Sequence, residues 1–585
     1  MTAHDLVIRH GRVVDGTGCD PYLADLAIDG DRITAVGTEV GRGRRELDAT
    51  GLIVTPGWVD IHTHYDAQAT WDPMLSPSSE HGVTTVVMGN CGVGFAPVRE
   101  DLRDELIDLM EAVEDIPGSA MHEGIVWEWE SFPEFMEALG RRRHVLDLGV
   151  QVPHCALRAY VMGRRGIDNE RATAEDISRM HGIVREAVRA GALGFSTSRT
   201  EMHNTLDGRP VPGTFAAREE LFGIGAALRE AGAGVFQMSL THREVPHEMK
   251  WMKDLARETG RMVTFNLQQI DEAPDLYKEG LRGLDEARAE GITNLRGQFS
   301  GRPVGVLMGW ETTVHPFIGH PAYAELARLA PVERLRALRR PEVRAALVEG
   351  GKLRTEGLPP NAPIPAVFLE FLVACTHKMF PLEGGNDYEP DPARSIAARV
   401  AASGRTPAEL VYDALMELDG RGLLYFPLFG YANGDFEAIL ETMRHPQTGI
   451  SLADGGAHCG AICDAGTPTY MLMHWVRDRA RGERLPLPWI VRQQTLETAQ
   501  QYGLYDRGVL AAGWKADLNL IDLDRLDLTP PEVRYDLPAG GRRLYQGARG
   551  YRATVCSGVV TFEDGEPTGL LPGRLLRGEQ AAPQG

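Results

Sequence analysis

Two histidines one residue apart, His62 and His64 in Val59-Asp60-Ile61-His62-Thr63-His64, are the residues of this 585-residue chain best placed to do chemistry. They follow Gly51-Leu52-Ile53-Val54-Thr55-Pro56-Gly57-Trp58, an apolar run broken by a Pro-Gly turn. Side chains alternate along a strand with period two, so both imidazoles project to one side and can share one metal ion. An isolated His-x-His is often accidental. Here an Asp precedes the pair, and a second apolar run, Thr84-Thr85-Val86-Val87-Met88-Gly89, leads to Asn90-Cys91 about one βα unit later. The pattern predicts a metal site, and a metal site of this kind predicts hydrolysis.

The elements that must position these residues alternate between apolar strands and amphipathic helices. Residues 84–89, 192–196, 234–239 and 262–266 each read as a strand that follows a helical or turn stretch. Such repetition predicts an α/β protein built on a (β/α)8 TIM barrel, whose functional residues sit at the C-terminal ends of its strands. Short alternating segments with Gly-rich turns occupy residues 1–57, and similar ones return at 516–521 and 553–560. They predict a small β-sandwich assembled from both termini, residues 1–57 and 508–577, around a barrel over 58–507. Near residues 299–400 the rhythm breaks, with Gly301-Arg302-Pro303-Val304-Gly305, an Arg-rich helical stretch and a turn at Pro359-Pro360. An insertion between late barrel strands, serving as a lid, is the expectation. Residues 578–585 are expected to form a disordered tail.

Composition narrows the partners. With 61 Lys and Arg against 82 Asp and Glu, the net charge is −21, which argues against a nucleic acid or an anionic membrane and leaves a small-molecule substrate. The 43% hydrophobic content is ample for a large core. Met1-Thr2-Ala3-His4-Asp5 opens no targeting segment and no run has the length of a membrane span, so a cytoplasmic location is expected. The cysteines at 19, 91, 155, 375, 459, 463 and 556 form no disulfide framework. Cys459 and Cys463 lack a second pair at zinc-ribbon spacing and read as structural.

From Leu6-Val7-Ile8-Arg9 through Gly11-Arg12-Val13-Val14-Asp15-Gly16-Thr17-Gly18 to Pro56-Gly57 and His62-x-His64, the chain resembles the amidohydrolase superfamily. Gly89-Asn90-Cys91-Gly92 and the ending Asp564-Gly565-Glu566-Pro567-Thr568-Gly569 are similar to its N-acyl-D-amino-acid deacylase, or D-aminoacylase, branch. The likeness runs over nearly the whole chain. It implies metal ligands at His62 and His64, at Cys91 after the second strand, at His242 after Phe236-Gln237-Met238-Ser239-Leu240-Thr241, and at Asp454 after Gly449-Ile450-Ser451-Leu452-Ala453. Imidazole, thiolate and carboxylate suit zinc, which in a catalytic site keeps an open position for water and brings its pKa toward neutrality. In that family the Asp after the last strand takes a proton from this water and passes it to the leaving nitrogen, which makes Asp454 the implied general base and acid.

The chain also departs from the branch it resembles. The family carries a sixth-strand His ligand and, two residues later, a Lys for the substrate carboxylate. Phe265-Asn266-Leu267-Gln268-Gln269-Ile270 puts Leu267 at the His position and Gln269 at the Lys position. Cys91 and His242 alone are fewer than the three ligands a catalytic zinc usually keeps. One divalent metal is therefore expected, nearest His62, His64, His242 and Asp454, with Cys91 ligating or adjacent. No Lys appears in Gly194-Phe195-Ser196-Thr197-Ser198, where amidohydrolases with a carboxylated lysine carry their bridge. Gln offers amide hydrogen bonds where Lys offers charge, so another cation has to meet a substrate carboxylate. Arg199 is the candidate, and His203, Arg243, Gln269 and His458 are further pocket candidates.

The expected activity is hydrolysis of a linear amide C–N bond, deacylating N-acyl-D-amino acids through a metal-bound hydroxide with Asp454 moving the proton. One alternative is another amidohydrolase activity, on a cyclic amide or as a deaminase. A second is a catalytically inactive barrel used as a binding protein. His62, His64 and Asp454 count against it, and Leu267 counts for it.

Overall fold

Eight short strands, Trp58–Asp60, Val83–Met88, Asp147–Pro153, Gly194–Ser198, Val235–Ser239, Val263–Asn266, Leu295–Phe299 and Thr448–Ile450, pair in parallel in chain order in the computed structural model. That structure describes residues 3–205, 207–359, 362, 364–451 and 453–583. Leu452 of the run before Asp454, Pro360 of the Pro359-Pro360 turn and residues 584–585 of the expected tail lie outside the described residues. Nearly every residue of the eight strands is buried, as a parallel sheet requires when side chains fill one face and helices cover the other. The ring is closed beyond the strand ends. There the Asp454 N–H donates to the His62 carbonyl at 3.2 Å and the His64 N–H to the Gly455 carbonyl at 2.8 Å.

The outer helices follow from stripes and caps. In Ala174–Ala190 the Thr173 hydroxyl accepts from the Asp176 N–H, the Asp176 carboxylate accepts from the Thr173 N–H, and Gly191 at φ 113° ends the helix. Met180, Val184, Ala187 and Val188 form the buried stripe between those ends. Among the described residues no helix is long and apolar enough to cross a membrane.

Both termini build one nine-stranded, hydrogen-bonded sheet. Ile53–Pro56 runs antiparallel to Leu518–Ile521 with Val54 opposite Leu520, and Leu6, Ile8, Leu26, Ile28, Val54, Leu518 and Val555 share its core. The excursion near residue 299 is longer than expected. It leaves the barrel after Phe299 and returns at Thr448, because Leu424–Pro427 pairs back onto both Gly305–Met308 and Phe380–Pro381. Trp310, Phe317, Tyr323, Tyr412 and Phe426 give this segment a core of its own. The chain after Arg577, expected to be disordered, is hydrogen-bonded as far as it is described: the Gly578 N–H donates to the Gly191 carbonyl and the Gln580 N–H to Gly503, both at 2.8 Å.

A buried ion network joins the terminal sheet to the base of the barrel. Asp147, on the third barrel strand, lies 2.9 Å from an Arg507 nitrogen and 2.8 Å from Lys515 Nζ, and Asp506 stands 3.0 Å from Arg507 Nε. All four side chains are buried. Burial pushes the Asp147 carboxyl up, and Lys515 and Arg507 outweigh it, holding the group below its usual range. Arg507→Ala strips a counter-charge from buried Asp147 and Asp506 and is expected to cost about 3–5 kcal/mol. A lowered urea midpoint, read by circular dichroism, checks this; an unchanged midpoint contradicts it.

Candidate metal centre

The C-terminal rim of the barrel gathers four of the residues expected to bind metal. His62 and His64 follow the first strand, where the Asp60 carboxylate accepts from the His62 N–H at 3.1 Å. The other nitrogens of the two rings are each met from outside. His62 Nδ1 lies 2.9 Å from Gln298 Oε1, and His64 Nδ1 lies 3.2 Å from Glu114 Oε1. The Gln298 oxygen on His62 Nδ1 keeps the proton there and turns the lone pair of its Nε2 inward, whereas Glu114 stands beside His64 Nδ1 without hydrogen-bond geometry. Cys91 Sγ stands 3.2 Å from His62 Nε2, and its N–H is anchored on Gln237 Oε1 at 2.9 Å. Ligand atoms of His62, His64 and Cys91 all lie within 4.8 Å of one another. Asp454 Oδ1 completes the group, 3.5 Å from His62 Nε2 and 3.7 Å from His64 Nε2.

Close backbone approach makes this possible. Asp454 takes a left-handed conformation at φ 50°, and a Cβ on Gly456 would meet the His64 backbone at 3.0 Å, so glycine is required there.

Burial sets the protonation states. It pulls His62 down to about 4 and His64 well below its ordinary value, so both imidazoles are neutral. It pushes the Cys91 thiol well up and Asp454 up to about 7. Asp454 Oδ1 is buried without a hydrogen-bond partner. Imidazole lone pairs, a desolvated thiol and an orphaned carboxylate oxygen facing one point are the donor set that a divalent cation satisfies, so the residues fit a metal.

The group opens into a cavity of about 160 Å³. His242 lines it with Nδ1 unpartnered and its ring centroid 5.5 Å from that of Phe429, but it stands outside the trio formed by His62, His64 and Cys91. His203 and His458 also line the wall. Burial pulls them to about 3 and about 4, with His203 Nδ1 on Ser198 Oγ at 3.0 Å and His458 Nε2 3.7 Å from Glu114 Oε2.

Three of the pocket candidates are not brought into the cavity. Arg199 is held by the Thr214 and Ala216 carbonyls at 2.8 and 3.0 Å and by Glu248 at 3.3 Å. Arg243 is exposed and pairs with Glu272 at 3.4 Å. Gln269 turns away, its Oε1 accepting from the Ala432 N–H at 3.0 Å and its Nε2 donating to the Pro274 carbonyl at 3.2 Å. The sixth strand ends at Asn266, whose Nδ2 lies 4.0 Å from Cys91 Sγ; Leu267 is buried in the core, and Gln268 takes the place facing the cavity.

Glu114, Gln298, Asn266 and Gln268 were not foreseen as site residues. Glu114 carried one readable signal: it ends the helix Arg103–Glu114 beside Asp115, where a carboxylate opposes the helix dipole and needs another reason to be there.

A barrel of eight parallel strands with His-x-His, Cys and Asp converging at its C-terminal rim defines the class of metal-dependent amidohydrolases. Residues 45–350 and 391–562 match the model of the amidohydrolase family, and the chain belongs to that family. Within it, the chain is 34% identical over 580 residues to the D-aminoacylase of Alcaligenes xylosoxydans xylosoxydans, covering 98% of this chain and 97% of that one. Two solved structures share the fold. One, a study of the binuclear metal centre of D-aminoacylase, superposes with a TM-score of 0.64 at 23% identity over 98% of this chain and 100% of that one. The other, N-acyl-D-glutamate deacylase from Bordetella bronchiseptica with zinc and a phosphonate inhibitor, gives 0.63 at 21% identity over the same shares.

Gln298 orients His62 without occupying the ligand group. Gln298→Ala is expected to weaken metal binding about 10- to 100-fold. Chelator competition measures it, and an affinity equal to wild type contradicts the orienting role.

Proposed function

We propose that the protein deacylates N-acyl-D-amino acids, releasing a carboxylate and a D-amino acid. The observation that carries this is the convergence of His62, His64, Cys91 and Asp454 on one point at the rim of a buried cavity. Full-length similarity to a D-aminoacylase supports the substrate class.

His62, His64, Cys91 and Asp454 would hold one divalent cation, with zinc as the proposed ion. Bound there, it supplies Lewis acidity and lowers the pKa of water. A single ion is proposed because Leu267 is buried in the core and Asn266, not an imidazole, faces Cys91 from the sixth strand.

Each remaining task falls to a residue of the chain. Asp454 Oδ1 is unpartnered, and a carboxylate that a bound cation would keep ionised can take a proton from the attacking water and return it to the departing nitrogen. Gln298 fixes the His62 imidazole from behind, and Glu114 stands 3.2 Å from His64 Nδ1. Val304, Leu428 and Phe429, from the excursion between the seventh and eighth strands, line the cavity and support a lid role for that segment. The unpaired thiols of Cys155, Cys459, Cys463 and Cys556 support a cytoplasmic location.

Elemental analysis of purified wild type and Asp454→Asn, paired with amine release from N-acetyl D- and L-amino acids, tests the reading. The wild type should carry about one equivalent of metal. Amine release from D-substrates should fall about 10²- to 10⁴-fold in the variant while the far-ultraviolet spectrum is unchanged. Bound metal with no amine released from any D-substrate would sink the proposal.

A further inference from the structure

Resting on the deacylase reading, we propose that this site takes N-acyl-D-amino acids whose carboxyl is amidated, in preference to the free acids. The cavity wall carries Glu114, Asp454 and Cys91 as acidic groups and, among the described residues, no Arg or Lys. Arg199, Arg243, Lys378 and Arg302 are each committed to a carboxylate. Arg199 is fixed on buried Glu248, Arg243 on Glu272 at the exposed rim, Lys378 on Asp271 and Arg302 on buried Asp464, the last two at 2.5 and 2.8 Å. Turning Arg199 or Arg302 toward a substrate would strand a buried carboxylate.

Nor does the candidate centre have charge to spare. A divalent cation there is matched by Cys91 as thiolate and Asp454 as carboxylate. A substrate carboxylate would lose its hydration and gain no counter-charge.

The wall instead offers neutral hydrogen-bonding groups without partners. Gln268 and His242 line the cavity, and Gln268 Nε2 and His242 Nδ1 are buried and make no hydrogen bond. A carboxamide brings an oxygen that accepts from Gln268 and N–H groups that an imidazole nitrogen accepts. In the reaction, water gives its oxygen to the acyl carbon, the C–N bond breaks with its electron pair staying on nitrogen, and nitrogen takes the proton. The products are a carboxylate and a D-amino acid amide.

Steady-state hydrolysis of N-acetyl-D-leucinamide and N-acetyl-D-leucine by the metal-loaded full chain tests this. The amide should show a kcat/KM at least about tenfold higher, and Gln268→Lys should shift the ratio toward the free acid. Equal rates, or preference for the free acid, in the wild type would overturn the inference. Calorimetric titration of the non-hydrolysable N-methanesulfonyl-D-leucinamide and N-methanesulfonyl-D-leucine into the metal-loaded wild type separates it from the deacylase reading. Tighter binding of the amide supports the neutral site even where turnover is absent and only the deacylase reading fails; tighter binding of the free acid overturns the neutral site.

Discussion

Closure of the barrel is the constraint on which the site depends. First and eighth strands do not pair along their length; they meet through the Asp454 N–H on the His62 carbonyl and the His64 N–H on the Gly455 carbonyl. The backbone that seals the ring is thus the backbone that carries two imidazoles and the carboxylate. Distances among those side chains are set by the register of the seam, and the left-handed turn at Asp454 with Gly456 behind it allows so close an approach.

Charge is handled in opposite ways at the two ends of this barrel. At the base, Asp147 and Asp506 are buried against Arg507 and Lys515, and the acids are compensated in place. At the rim, Glu114, Asp454 and Cys91 are buried among neutral imidazoles, and burial pushes all three upward. The first arrangement sets cations against its acids and holds two parts of the fold together. The second is electrostatically unfinished, an arrangement that fits a cation.

Period-two projection made the His62 and His64 pair readable in the sequence, because it is a local property, whereas Cys91 and Asp454 entered through the family resemblance. Gln298 and Glu114 were not legible, since their roles come from where a neighbouring strand and a helix end arrive in three dimensions. Arg199 and Arg243 show the opposite failure. A sequence displays a cation without its partner, and Glu248 and Glu272 had already taken these two. Gln268 rather than Gln269 faces the cavity because the chain has left its strand at Asn266, where simple alternation stops deciding direction. Both the length of the excursion and the order of the segment after Arg577 rest on long-range pairing, of Leu424–Pro427 with Gly305–Met308 and of Gln580 with Gly503, which no local pattern announces.

The sheet built from both termini carries a consequence for biogenesis. Ile53–Pro56 finds its antiparallel neighbour Leu518–Ile521 only after the ribosome has made the entire barrel. Until then that edge presents free N–H and carbonyl groups, the kind of surface that recruits foreign strands. A message truncated late in translation would therefore leave a nearly whole catalytic barrel attached to an adhesive half-sheet, and the last strands to emerge act as the quality seal on the nascent chain.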